Sequence, residues 1–103
     1  MVEDVYRVIW DRQALNQMAE IYDYILQDSI QNAQIVRQKI LNQTARLAKN
    51  PWRYNSDKLR LDKDSRFRAF ELYKFRITFF VNEDSKTVIV LRVRSTWRDP
   101  LTY

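Results

Sequence analysis

The sequence predicts an α+β fold in the order β-α-α-β-β-β: a twisted, mostly antiparallel sheet with an N-terminal helical hairpin packed on one face. Three observations carry this reading. A short β-branched and aromatic run opens the chain, two stretches of helical period follow, and three closely spaced segments of alternating apolar residues fill the second half. A length of 103 residues suits one two-layer core, so residues 1–103 are expected to form a single domain.

Val5 to Trp10 reads as the first strand, with Tyr6, Val8 and Trp10 on one face and Arg7 on the other. Asp11 is placed to cap a helix in which Leu15, Met18, Tyr22 and Ile25 form an apolar stripe, flanked by Ala14, Ile21 and Leu26, running to about Asp28. Asp28 or Ser29 caps a second helix lined by Ala33, Val36, Ile40 and Leu47. It is expected to stop at Asn50, because Pro51 disfavours helical geometry in the residue before it. Residues 51–65 are polar and irregular, a loop with a short extended piece at Lys58–Leu61.

Three strands follow. Arg66–Leu72 sets Arg66, Arg68, Phe70 and Leu72 against Phe67, Ala69 and Glu71. Phe75–Val81 sets Phe75, Ile77, Phe79 and Val81 against Arg76, Thr78 and Phe80. Thr87–Arg94 begins apolar on both faces, as a central strand does, and takes up arginines near its end. The turns must form without glycine, which the chain lacks. Asn82–Ser85 fits a four-residue hairpin loop because Asn and Asp tolerate left-handed backbone, and Tyr73-Lys74 makes a tighter one. Ser95 to Tyr103 reads as a loop or ragged tail.

Composition excludes whole classes of chemistry. The chain has no cysteine and no histidine, which removes disulfides, thiolate and imidazole metal sites, and Ser-His or Cys-His catalysis. Without glycine there is no phosphate-cradling loop. No convergent carboxylate spacing suggests a metal, and no cofactor is called for. No segment is long and apolar enough to cross a bilayer, and the N-terminus does not read as a secretory signal, so the expected location is the cytoplasm.

The net charge of +5 is unevenly placed. Residues 1–52 hold six basic and six acidic side chains; residues 53–103 hold twelve basic and seven acidic, which accounts for the whole excess. A basic second half points to an anionic partner, the other reading being a solvated surface that keeps the chain soluble. Arg68, Arg76, Arg92, Arg94 and Arg98 fall on neighbouring strands or just after the last, with Lys74 in the turn between two of them. Guanidinium binds phosphate bidentately and stabilises charge developing on a phosphoryl group, and Tyr73 and Tyr103 can stack on a base or move a proton. The alternative is that these arginines pair with Glu71, Asp99 or a partner's carboxylates. Trp10 is expected in the core, Trp52 beneath the helical hairpin, and Trp97 either in local packing or against a partner.

Read in order, VYRVIW, IYDYI (Ile21–Ile25), Asp28-Ser29 with Asn32-Ala33, LAKNP (Leu47–Pro51), RAFE (Arg68–Glu71), FRITFFV (Phe75–Val81) and VLRVRSTWRDPLTY (Val90–Tyr103) resemble the RelE/ParE superfamily of bacterial toxins. The resemblance covers nearly the whole chain and implies a small growth-inhibiting toxin neutralised by a cognate antitoxin. RelE-like members cut mRNA on the ribosome without a metal; ParE-like members inhibit DNA gyrase. Carried over from the RelE pattern, Arg76, Arg98 and Tyr103 are the expected catalytic residues, and Arg68, Arg92, Arg94 and Lys74 the expected RNA- and phosphate-binding ones. Two departures weigh against a complete RelE set. Phe70 stands where a further basic residue is expected, and Arg94-Ser95-Thr96 replaces a stretch in which many relatives carry a histidine. Metal-independent mRNA cleavage ranks first on sequence, with gyrase inhibition as the alternative.

Overall fold

The computed structural model describes residues 5–54 and 64–96. The expected extended piece at Lys58–Leu61 and the tail holding Trp97, Arg98 and Tyr103 lie outside the described residues. The elements are β1 (Arg7–Trp10), α1 (Arg12–Leu26), α2 (Ile30–Ala45), β2 (Phe67–Leu72), β3 (Phe75–Asn82) and β4 (Thr87–Ser95), with short 3₁₀ turns at Arg46–Ala48 and Pro51–Arg53. The sheet order is β1-β4-β3-β2, antiparallel between β2, β3 and β4 and parallel between β1 and β4. This is the expected α+β arrangement. No helix among the described residues is long and apolar enough to cross a membrane.

Strand alternation builds the core. Ile77, Phe79 and Val81 of β3 and Val88, Val90 and Val93 of β4 are all essentially sealed from solvent and face Ala14 and Met18 of α1 and Ile40 of α2. Each such aliphatic or aromatic side chain contributes roughly 1.5–3 kcal/mol by leaving water. Within α1 the inward positions are Ala14 and Met18, whereas Leu15 is 53% exposed. The expected stripe is therefore rotated toward Ala14, because the small residue is what lets α1 approach β4 closely.

The second helix ends sooner than Pro51 alone requires. Ser29 caps its start, accepting from the Asn32 N–H at 3.1 Å. At its end the Thr44 hydroxyl donates back to the carbonyls of Ile40 and Leu41, both at 3.0 Å, and the backbone tightens into the 3₁₀ turn. That turn drives Leu47 into the core and aims the Ala48 carbonyl at the Tyr6 N–H, 2.7 Å away. A tertiary demand, rather than the proline, sets the boundary.

Two features of the sheet position its uncovered face. Register shifts between Thr78 and Phe79: Phe79 pairs with Val90, but Thr78 pairs with Arg92, leaving Leu91 as an extra residue in β4. Plain alternation from Val88 and Val90 would aim Arg92 and Arg94 into the core. The bulge turns both to the other side and brings Val93 inward. The turns, lacking glycine, force left-handed backbone on Tyr73 (φ 57) and Lys86 (φ 53), at about 1–2 kcal/mol each. Asn82, expected in the β3–β4 loop, instead pairs with Thr87, and its side chain accepts from the Ser85 N–H at 3.2 Å. The loop occupies residues 83–86, and its left-handed position falls on Lys86, not on Asn or Asp.

Candidate functional site

Side chains paired across strands point to the same face, so the registers map the side of the sheet that α1 and α2 leave uncovered. One transverse row is apolar: Ile9, Ile89, Phe80 and Phe67, paired in that order across all four strands. Its aromatic end is a T-shaped Phe67–Phe80 pair with centroids 4.9 Å apart, and the Arg66 guanidinium lies 5.3 Å over the Phe80 ring. Past the bulge the character changes. Arg92, Thr78 and Ala69 form the next row, and Arg94, Arg76 and Glu71 the last. Arg76 thus stands between a like charge on β4 and an opposite one on β2. Arginines directly opposite one another cost stability on a sheet, a cost an anionic ligand would offset. Glu71 is the only carboxylate among the strand residues of this face, which suits anions and offers a metal cation no ligand set.

Arg68 does not join this cluster. Its register partner is Phe79, so it projects from the helix-covered face. There its guanidinium lies 4.8 Å over the Trp52 ring and donates to the carbonyls of Tyr54 (2.6 Å), Trp52 (3.3 Å) and Ser65 (2.9 Å). The grouping of Arg68 with Arg76 expected from sequence is corrected: the two stand back to back. Lys74 is exposed in the β2–β3 turn, at the end of the sheet rather than on its face, and its carbonyl accepts from the Thr96 N–H (2.8 Å) and hydroxyl (3.2 Å). Of the expected catalytic residues, Arg76 is on the open face, while Arg98 and Tyr103 lie outside the described residues.

Trp52 belongs to a polar cluster that sequence reasoning missed. Its Nε1–H donates to the Tyr6 hydroxyl (3.2 Å) and to Glu83 (3.3 Å); Tyr6 donates to Glu83, and so does Lys86 at 2.7 Å, with Lys86 also 5.2 Å over the Tyr6 ring. Burial, then the Glu83 carboxylate, raises the Tyr6 pKa above 10.0; donation from Lys86, then from Tyr6, holds the Glu83 carboxyl below 4.5. The cluster ties the N-terminal segment, the turn at residues 51–53 and the β3–β4 loop together. Its partners are 31 and 77 residues apart, so no local pattern announces them.

The comparisons with known proteins bear on the family and the fold. A family model described as the ParE toxin of the type II toxin–antitoxin system parDE matches residues 8–100. No curated protein sequence matches. Among solved structures, the chain is similar to one from the chromosomal ParDE system of P. aeruginosa: TM-score 0.69, 22% identity, 89% of this chain and 97% of that one covered. It is also similar to E. coli RelE in the free state, as an arginine-to-alanine double mutant: TM-score 0.64, 14% identity, 89% and 84% covered. A third is from the RelBE2 toxin–antitoxin complex of Mycobacterium tuberculosis: TM-score 0.57, 19% identity, 88% and 91% covered. At these identities the structural likeness speaks for the fold, and the family model, spanning nearly the whole chain, speaks for the lineage. The chain belongs to the ParE toxin family of type II toxin–antitoxin systems, whose toxins are paired with a cognate antitoxin.

Proposed function

We propose that the open face of the sheet is the working surface of this toxin, and that it inhibits growth by binding DNA gyrase in the cytoplasm rather than by cutting RNA. On sequence alone mRNA cleavage ranks first; the position of Arg68, away from the open face, supports the alternative. Cleavage needs charge stabilisers together with a base and an acid in reach of the same phosphate. The strand residues of this face supply Arg76, Arg92 and Arg94 for charge, but the chain has no histidine and Arg68 is committed to the opposite side. Among the described residues, such a face offers charge to hold an anionic surface but no acid–base pair beside it, while Arg98 and Tyr103 lie outside the described residues. The match to a ParE model supports the same reading.

One observation favours the second reading, mRNA cleavage on the ribosome. Arg76 and Arg94 are direct cross-strand partners, an arrangement suited to gripping a single phosphate from two sides. In that reading Arg76 and Arg98 stabilise the scissile phosphate, Tyr103 transfers a proton, and Arg92, Arg94 and Lys74 hold the RNA backbone. Purified toxin added to a gyrase supercoiling reaction and to a ribosome–mRNA cleavage reaction separates the two. Loss of supercoiling with intact mRNA is the expected result; cut mRNA with normal supercoiling overturns it.

A further inference from the structure

The two 3₁₀ turns after α2 shape a cleft of about 530 Å³. Arg46 opens the first turn, Lys49 follows it and Arg53 closes the second; all three line the cleft and all three are exposed. The rest of the lining is small, Val5, Ala45 and Ala48 with Asn50, and it includes no carboxylate. The segment entering β1 forms one side, held there by the Tyr6 N–H, which donates to the Ala48 carbonyl at 2.7 Å.

Like charges gathered in one cleft repel one another unless something neutralises them. Arg66 and Lys86 have such a partner, in Asp64 and Glu83. Among the described residues Arg46, Lys49 and Arg53 form no ion pair, and the Arg53 guanidinium only lies 5.4 Å over the Tyr54 ring. A helix C-terminus can gather cations on its own account, through the carbonyls its last turn leaves unsatisfied. Here hydrogen bonds take most of them. The Thr44 hydroxyl donates to Ile40 and Leu41, the Arg46 N–H to Gln43 and Thr44, the Lys49 N–H to Arg46 and the Tyr6 N–H to Ala48. The same bonds occupy the oxygens that would otherwise repel an anion.

We propose that this cleft binds the phosphate backbone of duplex DNA. Arginine and lysine neutralise backbone phosphates by charge-assisted hydrogen bonds, and the release of counterions from the duplex drives the contact. The lining favours this occupant over a protein, because it offers cations around small side chains and no large apolar pocket for an anchoring residue. The choice of DNA over RNA rests on the gyrase reading, since a toxin seated on that enzyme stands beside the DNA the enzyme holds. The cleft is built by the end of α2 and its two turns, whereas Arg76, Arg92 and Arg94 belong to β3 and β4. It is therefore a contact separate from the open face.

The test is fluorescence anisotropy of a short labelled DNA duplex titrated with the full chain over a salt series. Arg46→Gln/Lys49→Gln/Arg53→Gln neutralises the cleft. Arg12→Gln/Arg37→Gln/Lys39→Gln neutralises three exposed cations of the helical hairpin and leaves the same net charge. The expected result is binding by wild type, weakened about tenfold or more in the cleft variant, with a salt slope shallower by roughly 2–3, and little changed in the hairpin variant. Absence of wild-type binding at low salt, equal weakening in the two variants, or tighter binding of an RNA duplex or of polyglutamate overturns the inference. If the cleft variant melts lower than wild type, Arg46→Gln/Lys49→Gln, which spares the contact of Arg53 with Tyr54, is compared with Arg12→Gln/Lys39→Gln, and equal affinities then overturn it. Gyrase is absent from the titration, so a failure there leaves the gyrase reading standing. A toxin that holds the duplex but leaves supercoiling normal overturns that reading and keeps the cleft.

Discussion

Arg68 and Arg76 carry the same guanidinium, yet alternation aims them at opposite sides of one sheet. Arg68 satisfies three backbone carbonyls and covers Trp52. Truncating it leaves those carbonyls to find water and removes the ring contact. Arg68→Ala is therefore predicted to lower stability by about 1–3 kcal/mol in a denaturant melt while leaving target inhibition by the folded protein unchanged. A loss of inhibition without a loss of stability would return Arg68 to the site. The face of Arg68 is legible in the sequence. Its strand sets it with Phe70 and Leu72, the next sets Arg76 against Ile77, and applying both alternations together separates the arginines. Proximity in the chain, used alone, merges them.

Glu83 gives a second prediction at this scale. Its folded pKa is lowered, so the stability it contributes is present above the ordinary value of 4.5 and is lost as pH falls through the folded value. Glu83→Gln is predicted to lower the neutral plateau and flatten the decline below pH 4.5, read from melts across an acid series. Tyr6, raised above 10.0, acts at the other end: its contribution is lost as pH rises through its folded value. An acid limb as steep in Glu83→Gln as in wild type would contradict the assignment.

At the scale of elements, the bulge at Leu91 decides what the open face contains. A one-residue change of register exchanges the two faces of a strand. Because Leu91 is the extra residue, deleting it is predicted to keep Arg92 opposite Thr78 and Val93 in the core, at a cost of about 1–2 kcal/mol in stability and with target inhibition retained. If Leu91 were instead an ordinary ladder residue, its deletion would drive Val93 outward and unfold the domain, which circular dichroism would show. The strands themselves were readable to within a residue or two because alternation is a strong local signal; the largest difference is at β1, expected from Val5 and observed from Arg7. The bulge was not readable, since Val90, Leu91 and Val93 are all apolar and nothing in their order marks which one is unpaired. The left-handed Lys86 was equally hidden. Its strain is held by the contacts of its side chain with Glu83 and Tyr6, which exist only in the folded chain. The end of α2 was misplaced for a related reason: Pro51 is visible in the sequence, whereas the pull of Leu47 into the core is not.

At the scale of the molecule, the charge asymmetry between halves becomes a spatial one. The neutral first half supplies the helical hairpin and the short edge strand β1; the basic second half supplies the two central strands and the other edge strand, β2, with the bulge and register directing Arg76, Arg92 and Arg94 to the uncovered face. Covering one face and charging the other leaves the sheet as the natural meeting place for an anionic target. The measurement that bears most directly on this is the concentration of toxin needed to inhibit gyrase supercoiling, compared between wild type and the Arg76→Ala/Arg94→Ala double variant, with melts establishing that both are folded. If the open face holds the target, the double variant needs at least about tenfold more protein, as loss of two charge-assisted contacts requires. A folded double variant that inhibits supercoiling as well as wild type would contradict it.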